Sequence, residues 1–151
     1  MPPWQRTIAV MDDSVVERLR AGADEAFAGR GVVFAYLFGS VALGRQRPDS
    51  DIDIAVYMGP GTTADFLPIS MKLADALSSS TGLGGIEVTV LNDAPLALLG
   101  RAISERVMIY SADEPFRVRF ESQAMREFLD FQFHMRSMDE QFLKDIAEGR
   151  R

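Results

Sequence analysis

The stretch VVFAYLFGSVALGRQRPDSDIDIAVYM, residues 32–58, decides how this chain is to be read. Its first seven residues form an apolar run rich in β-branched and aromatic side chains. The run ends at Gly39, which is the pattern of a buried strand. SVALGR, residues 40–45, is too short for a full helix and predicts one or two turns with Ser40 as N-cap. RQRPDS, 45–50, is turn chemistry, in which Asp49 is a turn former before it is a ligand. DIDIAVYM, 51–58, alternates acidic and apolar residues before becoming wholly apolar, so it predicts a strand with one polar end.

That polar end carries the chemistry. Residues two apart on a strand share a face, so Asp51 and Asp53 project together with roughly 7 Å between their Cα atoms. Two carboxylates on one face repel and raise each other's pKa, and divalent cations relieve that repulsion. Carboxylate oxygens suit Mg²⁺, which commonly takes one or two of them plus substrate phosphates. Two such ions about 4 Å apart clamp both oxygens of an in-line displacement at phosphorus. Gly39 and Ser40 supply the other half: a strand that ends in glycine and turns into a helix start brings backbone N–H groups close to an anion, and the Ser40 hydroxyl can donate to a phosphate oxygen. Glycine-serine alone is a turn with a cap, and an Asp-x-Asp pair alone is a solvated strand end. Together, as G-S-x10-D-x-D on adjoining strands, they predict a metal-dependent site for displacement at phosphorus.

Outward from this stretch, residues 13–29 put Val15, Val16, Leu19, Ala23 and Phe27 on one helical stripe. Asp12, Asp13 or Ser14 is available as a cap and Gly29 or Gly31 as a stop. Residues 64–80 read as a helix despite Pro68, which falls in its first turns. TGLGG breaks it before a third strand, IEVTVL, at 86–91. Pro95 opens a helix at its first position over 95–104. RVMIYS, 106–111, is a short fourth strand suited to a sheet edge. From Glu114 to Glu148, Phe116, Phe120, Phe128, Phe131, Met135, Met138, Phe142 and Ile146 recur at three- and four-residue spacings, as one long helix or two broken ones. Strands alternating with helices predict an α/β domain over residues 1–151: a mixed sheet of about four strands, helices mainly on one face, and a C-terminal helical segment. Such a stripe is usually core, but four strands offer limited cover for it. Part of 114–148 is therefore expected to dock on a second chain, either another copy or a helical partner.

Bulk properties narrow the function further. The chain has 151 residues, no cysteine and a formal net charge of −6. Absent cysteine excludes disulfides, thiol nucleophiles and cysteine-held zinc, and it suits a reducing cytoplasm. The acidic balance argues against general nucleic-acid binding, which gains from counterion release by basic surfaces. No apolar run approaches the ~20 residues of a membrane helix. MPPWQRTIAV at the N-terminus lacks the layout of a secretion signal. His134 is the lone histidine, expected on a helix surface, which argues against histidine-based hydrolysis. Tyr36, Tyr57 and Tyr110 lie in strands and are expected to pack, with self-modification left open.

Gly39-Ser40, ten residues, then Asp51-Ile52-Asp53 resembles the signature of the DNA polymerase beta-like nucleotidyltransferases. FGSVALGRQRPDSDIDIAV resembles in particular their minimal members, the MNT proteins, and the likeness spans roughly residues 14–110. The resemblance implies the nucleotidyltransferase fold, two Mg²⁺ ions, ATP as donor and a HEPN-domain toxin as partner. In the antitoxin branch it implies transfer of AMP onto a tyrosine of that toxin. It also implies a third carboxylate on a later strand, and Glu87 stands where the family carries aspartate. Glu87 is thus a third metal ligand or general base with its reach altered by one methylene. Leu43 stands where the common G-S-x-A-R-G pattern has arginine, leaving Arg45 or Arg47 as loop cations for a phosphate, with Arg45 the candidate. Two other functions stay open: a small-molecule nucleotidyltransferase, and a non-catalytic antitoxin that acts by covering its partner.

Overall fold

The structure, a computed structural model, describes residues 13–150. The Asp12 cap option and the MPPWQRTIAV segment lie outside the described residues. Nine elements follow in order: α1 (Asp13–Phe27), β1 (Phe34–Phe38), α2 (Gly39–Ala42), β2 (Ile52–Tyr57), α3 (Phe66–Thr81), β3 (Ile86–Val90), α4 (Leu96–Glu105), β4 (Val107–Ser111) and α5 (Glu114–Ala147). The four strands form one sheet in the order β3-β2-β1-β4. β1 runs antiparallel to β2 and to β4, whereas β2 and β3 are parallel. The mixed four-stranded sheet, the edge position of the fourth strand and the long C-terminal helix all follow the sequence reading.

Strand alternation deals side chains to two cores. Ala35 and Leu37 of β1, Ile52, Ile54 and Val56 of β2, and Val88 and Val90 of β3 meet the apolar faces of α1 and α3. Phe34, Tyr36 and Phe38, with Ala55 and Tyr57, point the other way, toward Ala102 and Ile103 of α4 and Phe116, Phe120 and Ala124 of α5. The helices, expected mainly on one face, are therefore divided between both. The reason lies in β1, which is buried along its whole length and so needs cover on each side.

Local signals explain the boundaries. Asp65 caps α3 by accepting from Leu67 N–H, and Gly82 ends that helix with a left-handed φ of 71°. Pro95 occupies the N-cap of α4 with an extended backbone, one place earlier than predicted. Asp113 caps α5 by accepting from Phe116 N–H at 3.0 Å. α5 is a single helix of 34 residues, with no break. Its first half is seated: Tyr57 lies between Phe116 and Phe120, with ring centroids 5.7 and 4.6 Å away. Its second half is not, and the apolar stripe runs on into solvent from Phe131, 37% exposed, to Phe142, 63% exposed. Among the described residues no helix is long and apolar enough to cross a membrane.

Candidate active site

Gly39 is fixed at its position by two constraints. Its φ is +76°, a conformation that side chains rarely adopt. A Cβ there would also sit 2.3 Å from Asp53 Oδ2. The glycine turn and the Asp53 carboxylate, 14 positions apart in sequence, thus meet in direct contact because Phe38 pairs with Asp53 in the β1–β2 ladder. Ser40 is half-buried one residue into α2, and the N-cap is Phe38, not Ser40. An extended Phe38 at the end of β1 turns directly into the helix, which leaves the serine no capping place and frees its hydroxyl from that duty.

Parallel pairing of β2 with β3 sets Asp53 beside Glu87, at the ~4.8 Å spacing of neighbouring strands. Asp51 precedes β2 on the same face, its Oδ1 lying 3.7 Å from where a Cβ on Gly85 would be. Burial pushes the Asp53 carboxyl above the usual range, and the charge of Glu87 adds to this, with smaller contributions from Asp51 and Glu105. Arg101 is the cation that opposes the rise. The three carboxylates predicted from sequence are thus within mutual electrostatic reach, two of them exposed and Asp53 half-buried. Among the described residues no three such groups close into a ready-made metal cage. An open pair that relies on phosphates for its remaining ligands fits the habit of Mg²⁺. The uncompensated charge over Asp53 is the observation that favours a cation there. Arg45 lies exposed just beyond α2, its backbone N–H donating to Ser40 O at 2.8 Å.

Two further residues belong to the site and escaped the sequence reading. Gly39 N–H donates to Glu105 Oε2 at 2.9 Å. Arg101 bonds the same carboxylate at 3.3 Å and holds its guanidinium 5.6 Å from the Phe38 ring centroid. In sequence they are an ordinary i, i+4 pair on a helix, with no spacing that ties them to Gly39. One signal was available: Glu105 ends α4, at the negative pole of the helix dipole, a placement that costs ~0.3–1 kcal/mol.

A family model described as Polymerase beta, Nucleotidyltransferase matches residues 24–115. The chain belongs to that family. Its reaction class is therefore nucleotidyl transfer, and the matched span holds the glycine turn, the three carboxylates and the Arg101–Glu105 pair. A search of curated proteins finds no match. Among solved structures it resembles a chain of a complex of a tri-AMPylated Shewanella oneidensis HEPN toxin with an MNT antitoxin. That likeness has 16% identity and a TM-score of 0.59, covering 87% of this chain and 98% of that one. A toxin–antitoxin structure with AMP-PNP matches at 20% identity and TM-score 0.55, covering 89% and 97%. The toxin–antitoxin pair MntA-HepT matches at 18% and 0.52, covering 89% and 95%. At these identities the likeness is one of fold.

Proposed function

We propose that this nucleotidyltransferase is an antitoxin that transfers AMP from ATP to a tyrosine of a HEPN-domain toxin. The observation that carries the reading is the contact between Gly39 and Asp53, which joins an anion-accepting turn to a carboxylate cluster in need of cations. The neighbouring structures, one with AMP-PNP and one with a tri-AMPylated HEPN toxin, support this choice of donor and acceptor. The exposed apolar face of α5 beyond Phe128 supports a protein partner. The whole chain would then work as one domain, its last 34-residue element serving as the docking arm.

Asp51, Asp53 and Glu87 would hold Mg²⁺, two ions in all, which when bound supply the positive charge that the triphosphate needs beside three carboxylates. Gly39 N–H and the Ser40 hydroxyl orient the phosphates, with Arg45 reaching in from the loop. Glu87 accepts the proton of the incoming tyrosine hydroxyl. The phenolic oxygen bonds to the α-phosphorus, the bond from that phosphorus to the bridging oxygen breaks, and pyrophosphate leaves with its electron pair.

The test is to incubate the protein with ATP labelled at the α-phosphate, Mg²⁺ and a HEPN partner. Label on a partner tyrosine is expected, lost with EDTA and lost in Asp51→Ala with Asp53→Ala. Label on a small molecule instead would overturn the choice of acceptor. One observation favours a second reading, the binding-only antitoxin: the Gly39 amide is already satisfied by Glu105. Partner neutralisation that survives the double alanine variant, with no label anywhere, would decide for it.

A further inference from the structure

The amide that should meet a phosphate is already bonded to an anion belonging to the chain. Glu105 Oε2 accepts from Gly39 N–H at 2.9 Å, and Oε1 of the same carboxylate is bonded by Arg101 Nε at 3.3 Å. The carboxylate satisfies the amide of the turn, but at an electrostatic cost. It lies at the negative end of α4, and its charge adds to the repulsion around Asp53. A residue that breaks a local rule at such a cost, beside the glycine turn, marks a functional place. Arg101 is equally out of the ordinary. The motif's arginine position holds Leu43, exposed on α2's C-cap. Arg101 instead brings a guanidinium to the same turn from α4, against Phe38. Its side chain is 53% exposed, and the bond to Glu105 uses one of its five N–H donors.

We propose that Arg101 is a triphosphate-binding residue of this site and that Glu105 is an internal stand-in for phosphate, holding Gly39 N–H and Arg101 until a nucleoside triphosphate displaces it. The inference rests on the nucleotidyltransferase reading of the site. The exchange is favourable in charge: a triphosphate offers several negative oxygens to a planar fork that binds phosphate at two points, whereas Glu105 offers one charge already opposed by its neighbours. Released from Gly39, Glu105 stays one turn from Arg101 on the same helix face, so the pair resets when product leaves.

Binding of AMP-PNP with Mg²⁺ to the full chain, followed by titration calorimetry, tests this directly. Arg101→Ala should weaken binding about ten- to hundredfold, and Arg101→Lys should recover part of it, because the charge returns without the fork. Glu105→Gln, which keeps the hydrogen bond to Gly39 but not the charge, should tighten binding about three- to tenfold. In steady-state transfer both should alter KM for ATP more than kcat. Unchanged melting temperatures check that each variant folds, and the exposure of Arg101 makes that the expectation. Binding unaltered in Arg101→Ala would overturn the role of Arg101. Binding weakened or unaltered in Glu105→Gln would overturn the stand-in and leave Glu105 a mere prop for the turn. No binding by the unsubstituted chain would overturn the nucleotide site itself, and is thereby distinguishable from failure of this proposal alone.

Discussion

The two faces of the sheet are built from the same strands and have opposite characters. Toward α1 and α3, β2 presents Ile52, Ile54 and Val56, each buried, against helices that cross closely enough for a Cβ on Gly22 to lie 2.6 Å from Thr81 Cγ2. Toward α4 and α5, it presents Asp53, Ala55 and Tyr57, and the cover is polar in places and open at the Asp53 end. Tyr36, buried in that second face, must spend its hydroxyl on Glu121 Oε1 at 2.6 Å, and Arg106 lies 3.3 Å from the other oxygen of that carboxylate. Burial and this bond push the Tyr36 phenol far above the usual range, so it is no acceptor for self-modification without opening the fold. One face is thus apolar throughout, whereas the other joins an aromatic core to electrostatic tension at its Asp53 end.

Substitutions that respect this division should separate folding from transfer. The largest loss of stability belongs to the apolar face. Phe27→Ala removes a fully buried ring set edge-on to Tyr110 at 5.5 Å and should cost about 3–5 kcal/mol in urea unfolding, with transfer per folded molecule unchanged. Gly39→Ala breaks both properties at once. It should cost about 1–3 kcal/mol from the positive φ and crowd Asp53, lowering transfer about a hundredfold. Tyr36→Phe lies on the second face but away from the carboxylates. A loss of about 1–2 kcal/mol with an unaltered transfer rate is expected, and a changed rate would show that the face does not divide in this way.

The smallest effect has the opposite sign. Asp53→Asn should abolish transfer yet raise stability at neutral pH, by up to about 1 kcal/mol, because it removes a like charge directly across from Glu87. The pH dependence follows. With its folded pKa raised, Asp53 binds a proton more tightly in the folded than in the unfolded chain. Between the two values stability falls as pH rises, and it is regained on acidification through the raised pKa. In thermal melts the advantage of Asp53→Asn over the unsubstituted chain should therefore shrink as pH falls through the raised Asp53 pKa. A destabilised Asn variant would mean that the carboxylate is held by bonds stronger than its repulsions.

How much of this was legible beforehand also differed between the faces. Period-two alternation in residues 51–58 and the stripe from Val15 to Phe27 are local patterns, and they led directly to β2, α1 and the placing of Asp51 and Asp53 together. Glu87 was placed with them only by the family resemblance, and it is the parallel pairing of β2 with β3 that sets it beside Asp53. Arg101 and Glu105 could not be tied to the site beforehand, since Gly39 lies 66 positions away from Glu105 and the seating of α4 against β1 joins them. The N-cap of α2 was misplaced by two residues for a related reason. Ser40 has the chemistry of a cap, but the strand before it runs straight into the helix. The division of helices between both faces was legible but missed, because an unbroken apolar run such as 32–38 is the pattern of a strand covered on both sides.

Among the described residues, the 34-residue α5 is fixed to the domain through its first half, where Arg117 and Glu121 bond each other, Glu121 takes Tyr36 and the Phe128 ring lies against Gly100. At 1.5 Å per residue it is about 51 Å long, and the direction in which its distal stripe faces is set by helical phase alone. One residue inserted at the exposed Gln132 would leave every contact of Phe116, Phe120 and Ala124 intact. It would also turn Met135, Met138, Phe142 and Ile146 by about 100° away from whatever they meet.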